Sequence, residues 1–503
     1  MQTHPAMESF GAAHGAGRPQ VVWTTLVSDL ETPVSAMLKL ADGRPNSFLF
    51  ESVEGGTTRG RYSFIGLKPD LIWRCRGNRA EINRHARADI DRFEPCPDPP
   101  LAALRKLIAE SRIEIPEPLP PMAAGLFGYM GYDMVRQMER LPDKNPDILQ
   151  VPDAILLRPT VVAIFDNVGD VVTVVTPVWP RAGIDARAAY NQACERLSDV
   201  VGDFDRSLPH RREDIADLGE LPEPTSNLSR EQYHAIVAKA KEYIYAGDIF
   251  QVVPSQRFKV PFRLPPLALY RALRRLNPSP FLFFLDFSGF AVVGSSPEIL
   301  VRLRDGKVTI RPIAGTRRRG ATPQEDRELA ADLLADPKEL AEHLMLLDLG
   351  RNDVGRVAKI GTVKVTERNE VELYSHVMHI VSNVEGEIEG GHDAVDALIA
   401  GFPAGTVSGA PKVRAMEIID ELEPERRGVY AGAVGYFAAN GSMDTCIALR
   451  TAVVKDGMMY VQAGGGVVAD SDPEAEYQET RNKARALIRA AQEAVKFAAR
   501  RGN

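Results

Sequence analysis

The chain is 503 residues long, 44% hydrophobic and 26% charged, with a formal net charge of -7. That length supplies core for roughly three domains or one large two-lobed unit, and the acidic balance argues against nucleic acid as main partner, since phosphate binding leaves a basic footprint. Cys75, Cys96, Cys194 and Cys446 show neither CxxC nor metal spacing, which points to a reducing compartment; no window approaches eighteen uninterrupted apolar residues, so the cytoplasm is expected.

In chain order, residues 1–19 hold no apolar run of signal-peptide length and read as a disordered tail. From 20 to 205 short β-rich runs (RYSFIGL, AAGLFGYMGYD, AILLRPTVVAIFD, VVTVVTPVW) alternate with helical stretches such as LAALRKLIAE. The charged, Pro-bearing stretch 206–228 reads as a linker. Ser229 with Gln232 then forms a capping-box start for a helix ending near Gly247. Strand-like runs follow through 229–498: IFQVVPSQRF, FLFFLDFSGFAVVGSS, KVTIRPIA, VYAGAVGYFAA and TCIALRTAVVKDGMMYVQAGGG. Strands and helices come in runs, which predicts an α+β fold.

Two helix starts carry the chemistry. Asp336-Pro337 precedes Glu339 and Glu342, and Asp472-Pro473 precedes Glu476 and Glu479. Asp caps, Pro suits the first helical position, and an i, i+3 spacing puts each pair on one face. If the faces meet, four carboxylates repel one another unless a cation joins them, and oxygen-only ligands suit magnesium. Glu339 also fits half of a capping box, and a solvated helix face is the commoner role for any one of these glutamates alone.

Other segments fit an acidic small-molecule substrate. In FPAGTVSGAPK, exposed N–H groups at a helix start would hold a carboxylate, although a tight turn explains the glycines as well. Gly464, Gly465 and Gly466 stand just before the second acidic helix, permitting close backbone approach or a bulge. Lys483, four residues past Glu479, suits an ordinary salt bridge. His376 and His379 lie in a strand-like run, where a satisfied core histidine is the commoner role. Glu298, after an apolar strand, is placed to be buried and to hold a proton.

Together GDIFQVVPSQRF, NPSPF, GSSPE, RPIAGTRRRG, ELAEHLMLLDLGRND, SHVMHIVS, FPAGTVSGAPK, CIALRT and QAGGGVVADSDPEAEYQETRNKA closely resemble the chorismate-utilising enzymes, and within them the anthranilate synthase branch. The resemblance covers about 230 to 490 and implies a large two-sheet β core flanked by helices, with a smaller N-terminal regulatory lobe. It implies Mg2+ held directly by Glu342 and Glu479, with Glu339 and Glu476 acting through water. It implies Glu298 as general acid and His379 in pyruvate elimination, with ammonia adding to C2 of chorismate. Thr406, Tyr436, Arg450, Gly464, Gly465, Gly466 and Lys483 match substrate contacts, as does the stretch Ala314, Gly315, Thr316. Related isochorismate and salicylate synthases carry a water-activating lysine where this chain has Gln251, and the para-aminobenzoate branch has a lysine where this chain has Ala314. Glu51, Ser52, Pro280 and Phe281 match a tryptophan feedback pocket, with Phe50 and Phe281-Leu282 departing from the usual residues. None of the cysteines sits in a G-x-C-x-G elbow, so a separate glutamine amidotransferase subunit is implied as ammonia source. An aminodeoxychorismate synthase and a non-catalytic tryptophan-binding homologue remain the alternatives at this point.

Overall fold

A computed structural model of the chain describes residues 1–54, 58–208, 221–374 and 377–501, and His376 lies outside them. The long apolar runs form strands where their pattern says so: Tyr62–Arg76, Ala154–Asp166 and Val171–Val178 are buried along most of their length. Two expected single strands are broken. IFQVVPSQRF divides into Gln251–Val252 and Ser255–Pro261, which join different sheets around Pro254. Proline supplies no ladder donor, and this break leaves Gln251 on a short separate ribbon. TCIALRTAVVKDGMMYVQAGGG divides into Met443–Ile447, Thr451–Lys455 and Met458–Gly464.

Hydrogen bonding links 21 strands into one continuous antiparallel system flanked by helices, the mixed α+β architecture expected. The system runs across the anticipated boundary at 206–228. Phe281–Phe287 pairs with Ser47–Glu51, and Ala433–Ala438 pairs with Gly125–Met130. One apolar core likewise takes Trp73 and Leu104 together with Leu300 and Ile447. Residues 20–205 are therefore woven into the larger half by backbone pairing rather than laid against it.

The expected disordered tail is a correction. Met7–Gly15 is a helix, and its Phe10 is fully buried against Ala189, Ala193 and neighbouring apolar side chains. Gln20 Nε2 donates to the Phe10 carbonyl at 3.0 Å, and His4 pairs with Trp23 as a β-bridge. One aromatic anchor outweighs the polar residues around it, which is why composition alone misreads the segment. Phe10→Ala should cost about 3–5 kcal/mol in chemical denaturation; a change within about 0.5 kcal/mol, as at ordinary surface positions, would mean the helix is not anchored.

Candidate active site

Both acidic helices start as their sequences dictate. Asp336 caps Pro337–Gly355 by accepting from the N–H groups of Lys338 and Glu339, and Asp472 accepts from the N–H of Ala475 at 2.9 Å at the start of Pro473–Arg501. Glu339 is no capping-box partner: its carboxylate accepts from Arg317, whose guanidinium also holds Asp332 and Asp336. The glutamates of the two helices come close enough to act on one another's charge. Burial and the charges of Glu339 and Glu479 raise the pKa of Glu342, and burial together with Glu479 and Glu342 raises that of Glu476.

Glycines let the chain close around these carboxylates. A Cβ on Gly465 would stand 2.7 Å from Glu476 Oε2, and one on Gly466 would stand 2.6 Å from Gln251 Nε2. Gly315, at φ +66°, brings its backbone beside Glu339 in a conformation that L side chains rarely adopt. Gln251 Nε2 in turn donates to Glu342 Oε1 at 3.4 Å.

The donor set fits a hard cation. Glu476 Oε2 and Gln251 Oε1 are buried without a hydrogen-bond partner, Arg317 and Lys483 pair with Glu339 and Glu479 rather than with Glu342 or Glu476, and every candidate ligand is an oxygen. Among the described residues no three acidic, histidine or cysteine side chains already form a cage.

Glu298 shares the influence of Lys483 with these glutamates. It is buried, and that burial pushes its pKa to about 8, while a hydrogen bond from Thr406 Oγ1 at 3.1 Å and the charges of Lys483 and Arg450 oppose the rise. Lys483 donates to the Gly464 carbonyl at 3.0 Å and also pairs with Glu479 at 2.7 Å, as the i, i+4 spacing predicted. Arg450 precedes its strand at φ 48° and is itself held below its ordinary pKa by burial.

His379 lies on Val377–Glu387, which pairs with Ile313–Arg318 through an irregular register between Ala314 and Arg317. That irregularity turns the Gly315 carbonyl toward His379 Nδ1, 2.9 Å away, with Thr316 Oγ1 at 3.2 Å. A carbonyl only accepts, so Nδ1 carries the hydrogen and Nε2 is the free acceptor. Burial lowers the pKa to about 4, so the ring is neutral near pH 7. Ala314 is buried beside it in register with Ile380.

Arg427 holds the site loops in place. Fully buried and ion-paired to Glu423, it donates to the carbonyls of Val407 and Val253 at 2.7 and 2.6 Å. The FPAGTVSGAPK turn thus delivers Thr406, whereas Gly409 serves the protein's own packing, since a Cβ there would stand 2.2 Å from the Gln251 carbonyl.

Tyr436 is a correction. It sits mid-strand in Ala433–Ala438, buried with Phe64 and Phe127 in an aromatic core, with its hydroxyl engaged by Arg304. It is no substrate contact. Tyr430 stands at the glycines instead: a Cβ on Gly464 would lie 2.9 Å from its hydroxyl. Tyr374, edge-on to the His379 ring at 5.2 Å, is a second residue the sequence did not single out. Both tyrosines are equally buried, and their neighbours separate them: the glycine run for Tyr430, Phe64 and Phe127 for Tyr436.

The candidate regulatory segments meet elsewhere. Leu282 pairs with Glu51, so Ser52, Pro280 and Phe281 lie at adjoining strand ends. Glu51 is buried and accepts from Tyr270 and from Arg274, the latter at 2.6 and 2.8 Å. Phe281 packs partly buried in the aromatic core, and Phe50 stacks on Phe64 at 5.2 Å. Among the described residues no helix is long and apolar enough to cross a membrane.

A profile of the chorismate binding enzymes matches residues 48–489. Anthranilate synthase component 1 of Cereibacter sphaeroides is 66% identical over 498 residues, covering 99% of each chain. The crystal structure of anthranilate synthase component I from Streptococcus pneumoniae superposes with a TM-score of 0.74 at 37% identity, over 85% of this chain and 92% of that one. The menaquinone-specific isochorismate synthase of Escherichia coli shares the fold at a TM-score of 0.69 and 20% identity, over 97% and 99%. With a family match across most of its length and a full-length relative at this identity, the chain belongs to the chorismate binding enzymes, in the company of the anthranilate synthase component 1 proteins.

Proposed function

We propose that the chain converts chorismate and ammonia to anthranilate and pyruvate, and that Mg2+ between the paired glutamates assists it. The observation that carries this reading is Glu298, a carboxyl kept protonated near neutrality by burial and placed with Thr406, Arg450 and Lys483.

Glu342 and Glu479 would hold the metal directly, with Glu339 and Glu476 reaching it through water. Bound there, Mg2+ supplies a positive charge that offsets the substrate's ring carboxylate. The chain's own groups perform the proton work. Lys483, Arg450 and the N–H groups at Gly464–Gly466 orient a dicarboxylate. Ammonia forms a bond to C2, the ring double bond shifts, and the C4 hydroxyl leaves as water with the proton of Glu298. In the second step the C3–O bond breaks, the departing enolpyruvyl group gains a proton at its methylene carbon to become pyruvate, and the ring becomes aromatic as C2 loses its hydrogen as a proton. The free Nε2 of neutral His379 is the acceptor that the site offers for that proton. Neither Gln251 nor Ala314 is a base or a nucleophile, so water activation and attack on the ring by the protein have no agent at those positions.

Ammonia comes from a separate amidotransferase subunit in this account. Burial raises the pKa of Cys75 to about 12 and raises that of Cys446 as well, the opposite of what a glutaminase thiolate needs. Tryptophan is the proposed feedback ligand at Glu51, Ser52, Pro280 and Phe281, supported by the strand register that joins those segments. The purified chain should consume chorismate with magnesium and ammonium and remain inactive when glutamine is the sole nitrogen source. Equal turnover with glutamine alone would contradict the two-subunit reading.

A further inference from the structure

A cavity of about 400 Å³ opens in the N-terminal half and shares no residue with the glutamate site. Its walls include the helix Met7–Gly15, the strand Val171–Val178 and the helix Ala186–Phe204. Its volume lies in the range of small-ligand sites.

The lining is cationic beyond its internal pairing. Arg158 takes Asp70 through two parallel bonds of 2.9 Å, and Arg84 is paired with Glu110. Arg87, Arg181 and Arg196 remain. Arg181 comes no closer than 3.9 Å to Asp70, which Arg158 already holds. Arg196 gives its Nε to Thr176 Oγ1 at 2.9 Å, and among the described residues neither it nor Arg87 has an ion-pair partner. Burial, followed by repulsion from Arg87 and Arg181, holds the Arg196 guanidinium below its ordinary pKa. Two further groups in the lining have unmet hydrogen-bonding capacity: His14 Nε2 and Trp179 Nε1 are buried without partners.

Three guanidiniums repelling one another around a cavity, with two ring nitrogens unsatisfied, form a site complementary to a compact dianion carrying a polar body. Guanidinium forks match phosphoryl oxygens bidentately, and a dianion offsets the charge that the lining leaves unpaired. We propose that this cavity binds a phosphoryl dianion, with Arg87, Arg181 and Arg196 on the phosphoryl oxygens. Free phosphate and a small phosphomonoester present that same group, and the remaining volume beside His14 and Trp179 suits the organic part of an ester.

Isothermal titration of the full chain with inorganic phosphate, ribose 5-phosphate and ribose tests this. Saturable binding of a phosphoryl ligand and none of ribose is expected. Tighter binding of ribose 5-phosphate identifies the ester as the preferred source, and equal or tighter binding of phosphate identifies the free anion. Arg196→Gln and Arg181→Gln should each weaken the binding by about tenfold or more, while chorismate turnover without these ligands is unchanged. Arg181 has a side chain 67% exposed, so its variant is expected to fold normally even if the Arg196 variant does not. No saturable binding to the wild-type chain, or wild-type affinity in both folded variants, overturns the proposal.

Discussion

Glu298→Gln lowers kcat for chorismate amination by about 10²–10⁴-fold, because it removes the transferable proton yet keeps the side chain's size and its bond from Thr406. At constant free ammonia, wild-type turnover should fall as pH rises through about 8, where Glu298 loses its proton. The variant should lack that falling limb. Stability gives an independent check. The folded pKa lies above the ordinary value of 4.5, so the folded state binds more protons than the unfolded one between these values. The contribution of Glu298 to stability is therefore complete below about pH 4.5 and is lost as pH rises toward 8. Glutamine has no such proton, so the melting temperature of the variant should gain on that of the wild type across this window. Normal ring amination by a folded Glu298→Gln protein would rule out Glu298 as the essential acid.

Glu342→Ala and Glu479→Ala should each abolish measurable turnover while leaving the fold intact. Glu342 is raised in pKa by burial and by its acidic neighbours, and Gln251 and Lys483 offset that only in part, so its charge is a liability that a bound cation would relieve. Without magnesium the Glu342→Ala chain should be at least as stable as the wild type near pH 7. With magnesium only the wild type should gain stability, by about 2.7 kcal/mol at a hundredfold excess over Kd. Thermal unfolding with and without the metal reads this without relying on activity. Retained turnover in both variants would remove the metal assignment.

The parts of this site readable from sequence are those set by local rules. The Asp-Pro starts, the i, i+3 glutamates and the i, i+4 pair of Lys483 with Glu479 depend on helix geometry alone, and the structure reproduces them. The Ser229–Gln232 capping box is likewise formed on the helix Arg230–Tyr245. What sequence left out depends on partners far along the chain. Arg427 acts through carbonyls 20 and 174 residues away, and Arg317 joins Glu339 from a neighbouring strand. Tyr436 and Tyr430 are six positions apart and equally buried, and only their neighbours from distant parts of the chain, Phe64 and Phe127 for one and Gly464 for the other, tell them apart. The helix around Phe10 escaped notice because a single anchor leaves little periodic signal.

The proposed function turns on where nitrogen enters the ring, because a metal clamp would fit several chorismate reactions and the proposal leaves the choice among them to the uncharged Gln251 and Ala314. The purified chain should be incubated with chorismate, magnesium and ¹⁵N-ammonium at alkaline pH, and the products separated and weighed by mass spectrometry. Anthranilate bearing one ¹⁵N, formed together with pyruvate, is the predicted result. Labelled para-aminobenzoate or its aminodeoxychorismate precursor, or unlabelled isochorismate or salicylate, as the main product would contradict the account.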